Sequence, residues 1–242
     1  MMTERYEEDV QKQDRKKVLF INCCITVHEE SRTEKLARAF LGAYLKKHPG
    51  AEIEERNLMR LGLKPLDPDT VRKRNALSDA YAGKAAQEMT DGGLFLEAEK
   101  FAEADLIVMA APYWEMSFPA LLRIYIEHVS ALNVTFGYGE DGQQRGLCRA
   151  GHMVYLTTAG GPVAGNDYGG DYLRGMCGVY GIGEFDSVAA ECLDIEGEDL
   201  SLIHILYVLM EPSESNSRST LTVFFRGREN TSSRFPALSQ VL

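Results

Sequence analysis

The chain has 242 residues, 45% of them hydrophobic and 26% charged, which is enough apolar side chain for one or two packed domains and too apolar for a disordered chain. Lysine and arginine number 26 against 36 acidic residues, a net charge of −10; this excludes a nucleic-acid partner held through phosphate contacts and a polybasic membrane-surface protein. No window of ~18 apolar residues predicts a transmembrane helix. The charged start MMTERYEEDVQKQDRKK lacks the apolar core of a signal peptide, so a cytoplasmic protein is expected.

Residues 1–16 read as a charged extension. Val18-Leu19-Phe20-Ile21 is then an unbroken apolar run, as expected of a strand covered on both faces of a parallel sheet. Ser31-Arg32-Thr33-Glu34 opens a helix whose apolar face is Leu36, Ala39, Phe40, Ala43 and Tyr44, and Pro49-Gly50 stops it. AEIEERNL, residues 51–58, is a more polar strand suited to a sheet edge. Residues 59–90 read as a charged, helix-rich excursion. A helix over 95–104 feeds a second apolar strand, Asp105 to Ala111, which Pro112 ends. Another helix follows Pro119 with the stripe Leu121, Leu122, Tyr125, Ile126 and Val129. Gly137 to Gly151 reads as a glycine-dense loop, His152 to Thr158 as a third core strand, 171–179 as a helix and 185–192 as a strand.

Alternating strands and helices with short links predict an α/β fold, a doubly wound parallel sheet with helices on both faces, over residues 17–199. Beyond Asp199 the alternation stops at an apolar LSLIHILYVLM and a serine-rich stretch, so residues 200–242 are expected to be an atypical tail, disordered by composition or not native. LSLIHI also resembles the translation of sequencing-adapter DNA; resequencing the locus tests whether that segment is native.

The five cysteines (Cys23, Cys24, Cys148, Cys177 and Cys192) form no C-x-x-C pair, and the five histidines (His28, His48, His128, His152 and His204) are scattered. No metal site is expected. Cys23 and Cys24, at a strand end, read as small buried hydrophobes.

Ligands of doubly wound sheets lie beyond the carboxyl ends of the strands. Three loops leave such ends here. The first carries Ser31-Arg32-Thr33 at a helix start, where free N–H groups and hydroxyls suit an anion; Ser31 or Thr33 capping the helix is the plainer alternative. Neither a G-x-x-x-x-G-K-[ST] loop nor a G-x-G-x-x-G turn is present, which disfavours a nucleoside triphosphatase and a Rossmann dehydrogenase. The second, Pro112-Tyr113-Trp114-Glu115-Met116-Ser117-Phe118-Pro119, sets the only tryptophan beside a tyrosine and a methionine. Such a cluster covers a flat ligand or a partner surface, or plugs the local core. In the third, Thr157-Thr158-Ala159-Gly160-Gly161, paired glycines permit close backbone approach.

KKVLFINCC, SRTEKLA, ADLIVMAAPYWEMSFPALLRIYIEHV, NVTFGYGEDGQQRGL and TTAGGP, in that order, closely resemble the flavodoxin-like FMN-dependent NAD(P)H:quinone oxidoreductase and azoreductase family. The resemblance implies a homodimer with FMN at its interface, NADH or NADPH as electron donor, and two-electron ping-pong transfer to quinones or azo compounds. It places Ser31, Arg32 and Thr33 at the FMN phosphate and Pro112, Tyr113, Trp114, Glu115 and Met116 along the isoalloxazine ring. Thr158, Ala159, Gly160 and Gly161 would meet its pyrimidine end, with Phe136 and Tyr138 on the substrate side. Family members often carry asparagine where Glu115 stands and some carry arginine where Ala159 stands; ITVHEE lacks the basic residue some relatives place before the serine. An electron-carrying flavodoxin, a flavin reductase that releases its product and a regulator without flavin remain alternatives.

Overall fold

In the computed structural model the described residues are 16–26, 30–81, 93–163, 165–194 and 220–224. Strands β1 (Lys17–Asn22), β2 (Glu52–Asn57), β3 (Leu106–Ala110), β6 (His152–Thr158), β7 (Glu184–Glu191) and β8 (Thr220–Phe224) form one sheet, ordered β2-β1-β3-β6-β7-β8. All five pairings are parallel. Every residue of β3 is buried, as the unbroken apolar run requires of a strand covered on both faces. The more polar β2 lies at the edge, where Glu52, Glu54 and Glu55 keep its free side hostile to strand addition.

Alternation along the strands divides the core. Val18, Phe20, Leu106, Val108, Val154, Leu156 and Val188 pack against α1 (Arg32–Lys47) through Leu36, Ala37, Phe40 and Leu41. On the other face Leu19, Ile21, Ile107, Met109, Met153 and Tyr155 meet three helices. These are α4 (Leu96–Glu103), α5 (Ala120–Val129) and α6 (Tyr168–Tyr180), which contribute Phe101, Leu122, Tyr125, Ile126, Leu173, Cys177 and Tyr180. The excursion holds two helices, α2 (Leu58–Leu61) and α3 (Pro68–Tyr81), with Arg74 reaching the carbonyls that end α5.

Three boundaries differ from the sequence expectation. The glycine-dense loop contains an antiparallel hairpin, β4 (Phe136–Tyr138) and β5 (Gln144–Gly146); strands of three residues are too short for a period-two signal. Helix α6 begins at Tyr168, three residues early, because Asp167 caps it by accepting the Gly170 N–H at 2.9 Å. Residues 220–224, within the expected tail, pair with β7. The charged extension up to residue 15 and LSLIHILYVLM lie outside the described residues.

Candidate functional site

Strands β1, β3 and β6 end side by side, and hydrogen bonds lace the three loops leaving them into one surface. The Cys23 N–H donates to the Ala110 carbonyl at 2.9 Å and the Ala111 N–H to Leu156 at 3.1 Å. The Tyr113 N–H donates to the Thr158 carbonyl at 3.0 Å. Between the first and third loops, the Thr33 and Thr158 hydroxyls share a 2.6 Å hydrogen bond. These contacts gather the sequence-predicted residues of all three loops at the carboxyl edge of the sheet.

The first loop enters α1 through Ser31, whose Oγ accepts the Glu34 N–H at 3.3 Å. Ser31 therefore does cap the helix, and its hydroxyl also bonds the Cys24 side chain. The Thr33–Thr158 pair has two hydroxyl protons and uses one in its mutual bond, leaving the second. Together with the amides of the first turn, which have no intrahelical acceptor, these form a donor set suited to a dianionic phosphate. Arg32 adds a guanidinium, paired with Asp194 at 2.7 Å. Residues 27–29 of this loop, His28 among them, lie outside the described residues. Cys23 and Cys24 sit in the same turn, and burial, the larger cause at both, pushes each thiol up to about 12.

In the second loop Trp114 and Ser117 exchange backbone hydrogen bonds of 3.0 and 2.8 Å around a two-residue turn. Its central residues, Glu115 and Met116, both have positive φ, 49° and 64°, a conformation that asparagine and glycine adopt at less cost than glutamate. The loop is pinned to the start of α6, since the Tyr168 N–H donates to the Met116 carbonyl and the Tyr113 hydroxyl to that of Asn166. Pro112 and Tyr113 are half-buried, whereas Trp114, Glu115 and Met116 are exposed. Glu115→Asn should stabilise the protein by about 0.5–1 kcal/mol by relieving the left-handed backbone. A urea midpoint at or below that of the parent would show the turn to be unstrained.

The third loop is backed by residues 192–194. The amides of Cys192, Leu193 and Asp194 donate to the carbonyls of Gly161, Ala159 and Gly160, and the Asp194 carboxylate lies where a side chain at residue 160 would begin. Gly160 is thus needed by a protein carboxylate, while Gly161 faces open space. Ala159 is buried, and its backbone bonds Ala190 and Leu193.

Beneath this loop, burial and then the neighbouring Asp171 and Glu191 charges raise the Asp167 pKa against the lowering effect of its hydrogen bonds from the first turn of α6. The folded state therefore holds this proton more tightly than the unfolded chain. The resulting stability is complete below the ordinary aspartate range and is lost as pH rises through the raised value. Asp167→Asn keeps the cap and removes the titration, so its urea midpoint should gain on the parent's between about pH 3.5 and neutrality. Parallel profiles would place that carboxylate in free solvent.

Phe136 and Tyr138 are not brought to this surface within one chain. Helix α5 starts at the second loop and carries the chain about 15 Å to the opposite end of the sheet. There the hairpin docks against the last turn of α6, with Cys148 N–H bonded to the Tyr180 carbonyl. The two rings stack edge to face at 6.3 Å, and Tyr138 is 61% exposed. Sequence reading passed over Asn22, Asp167 and Asp194. Asp167 was signalled by its residue type just before a helical stretch, since aspartate favours the N-cap, whereas Asp194 contacts Arg32 across 162 positions. Among the described residues no group of His, Cys, Asp and Glu could hold a metal ion, and no helix is long and apolar enough to cross a membrane.

Residues 16–202 match a family model described as a flavodoxin-like fold. The FMN-dependent NADH:quinone oxidoreductase of Clostridium beijerinckii is 33% identical over 189 residues, covering 77% of this chain and 91% of the relative. FMN-dependent NADH:quinone oxidoreductase 2 of Clostridium acetobutylicum is 34% identical over 189 residues, covering 76% and 90%. An FMN-dependent NADH-azoreductase from Bacillus anthracis, crystallised in complex with FMN, superposes with a TM-score of 0.63 at 22% identity, covering 80% of this chain and 95% of that one; that likeness is one of fold. With its sheet order, its three converging loops and these relatives, the chain belongs to the flavodoxin-like family that includes the FMN-dependent NADH:quinone oxidoreductases.

Proposed function

We propose that this protein is an FMN-dependent NAD(P)H oxidoreductase that passes two electrons to a quinone or an azo compound. The observation that carries the proposal is the lacing of the three loops through Thr158, whose hydroxyl meets Thr33 at 2.6 Å and whose carbonyl accepts from Tyr113. A helix N-terminus carrying hydroxyl groups is thereby held beside a turn of aromatic side chains, one region for a phosphate and one for a flat ring. The names of the relatives in Clostridium support the same cofactor and donor.

In this assignment Ser31, Thr33 and the first amides of α1 bind the phosphate, and Arg32 supplies positive charge beside it. The backbone of Pro112 to Met116 lines the ring, and Thr158 with Gly161 borders its far end. FMN, when bound, supplies reversible two-electron hydride chemistry. The chain's own contribution would be to hold the phosphate at the start of α1 and to orient the ring against the second and third loops. A ping-pong order would have the nicotinamide nucleotide and the acceptor use one site in turn.

Trp114, Met116 and Tyr168 are all exposed. Apolar surface of this kind at the mouth of a site suits a second copy of the chain, and we assign the protein as a homodimer. Since Phe136 and Tyr138 lie at the far end of their own chain, they reach a substrate only from the partner copy. Five free cysteines, two of them fully buried, suit a reducing cytoplasm.

The visible spectrum of the purified protein and its oxidation of NADH with menadione test the proposal together. A yellow protein that reduces menadione is expected. A yellow protein that never consumes NADH or NADPH is an electron carrier, and a colourless one that takes up no added FMN overturns the assignment.

A further inference from the structure

Asn22 ends β1, is almost fully buried, and has every amide atom engaged. Its Oδ1 accepts the Cys24 N–H at 3.0 Å, fixing the first bend of the loop that leads to Ser31. Its Nδ2 donates to Glu55 of β2 at 2.8 Å and to Glu34 of α1 at 3.4 Å. Both carboxylates also meet Arg38, at 2.7 and 2.8 Å. The four side chains form a closed ring, Asn22–Glu55–Arg38–Glu34, that joins the end of β1 and the body of β2 to the first two turns of the helix. Arg38 lies against the Phe20 ring, 5.2 Å from its centroid. Its partial burial works against the charge, and the bonds it donates to Glu34 and Glu55 more than restore it.

The ring stands next to the proposed phosphate site, because Glu34 is also the residue whose amide Ser31 caps. Glu30, Glu34, Glu55 and Asp194 are carboxylates of the elements that form or adjoin that turn. Glu30 pairs with Lys35 and Asp194 with Arg32, but Glu34 and Glu55 share one cation, Arg38. Without Arg38, two carboxylates would face each other across Asn22 beside a dianion, and Coulomb repulsion at this half-exposed depth is not fully screened. We infer that Arg38 is a positioning residue for the phosphate turn, holding Glu34 and Glu55 in a ring with Asn22 so that an acidic protein can accept a phosphate there. The inference rests on the FMN assignment above.

Titration of the apoprotein with FMN and, separately, with riboflavin, which lacks the phosphate, tests it. Arg38→Gln is expected to weaken FMN about five- to tenfold and to leave riboflavin affinity unchanged. Arg38→Lys should retain most of the FMN affinity, and Glu55→Gln added to Arg38→Gln should recover it by removing one of the two carboxylates. Equal FMN affinity in parent and Arg38→Gln overturns the inference, as does an equal loss for FMN and riboflavin, which would make the ring a fold determinant only. If the parent binds neither flavin, it is the FMN assignment that fails.

Discussion

Replacing Gly146 with alanine is expected to lower stability by about 3 kcal/mol or more, read as a fall in the urea midpoint. Gly146 closes β5, and a Cβ there would overlap backbone atoms of Tyr180 and Gly181. Those atoms have nowhere to go. Gly181 ends α6 in the left-handed conformation with its N–H on the Cys177 carbonyl, the Tyr180 carbonyl accepts from Cys148 at 3.2 Å, and the Tyr180 hydroxyl meets Ser130 at 2.7 Å. Relief therefore requires the hairpin to lift off the helix. Gly178→Ala, one turn earlier in α6, meets nothing within 4 Å and should stabilise by about 0.5–1 kcal/mol through helix propensity alone. Two identical substitutions, one in the hairpin and one in the helix it rests on, would thus change stability in opposite directions; a mild Gly146→Ala would mean that the hairpin is not seated on α6.

The second large effect concerns flavin. Ser31→Ala with Thr33→Ala should weaken FMN by about 1–3 kcal/mol, roughly 5- to 150-fold, because two donors to a charged group are lost. Loss of the cap also lowers stability by about 1 kcal/mol, so a further variant separates the roles. Ser31→Asp keeps an acceptor for the Glu34 amide and places a carboxylate against the phosphate. It should fold as well as the parent and lose FMN while retaining riboflavin. Retention of FMN by Ser31→Asp, measured by flavin fluorescence quenching, would limit Ser31 to capping.

The fold was legible because its signals are local. β3 is apolar throughout and lies at the centre of the sheet, and the charged β2 lies at its edge. The β4–β5 hairpin escaped notice because three residues cannot establish a period, and its glycines read equally well as a loop. The three loops of the site were also legible as the ends of apolar runs, and the structure laces them together. What holds them was not. Thr33 meets Thr158 across 125 positions, and Asn22 meets Glu55 across 33. No spacing rule connects such residues, since strand order and register bring them together. SRTE reads as a capping box, yet only its serine half forms; the Glu34 carboxylate turns instead to Asn22 and Arg38.

The adjacent sulfurs of Cys23 and Cys24 bear on the acceptors proposed for this enzyme. Quinones arylate cysteine through the thiolate, and burial, which pushes both thiols up to about 12, leaves little of that form at neutral pH. Benign handling of an electrophile is then built into the turn itself. Native protein incubated with benzoquinone at pH 7 should show no adduct on the Cys23–Cys24 peptide, whereas protein unfolded in urea should acquire one.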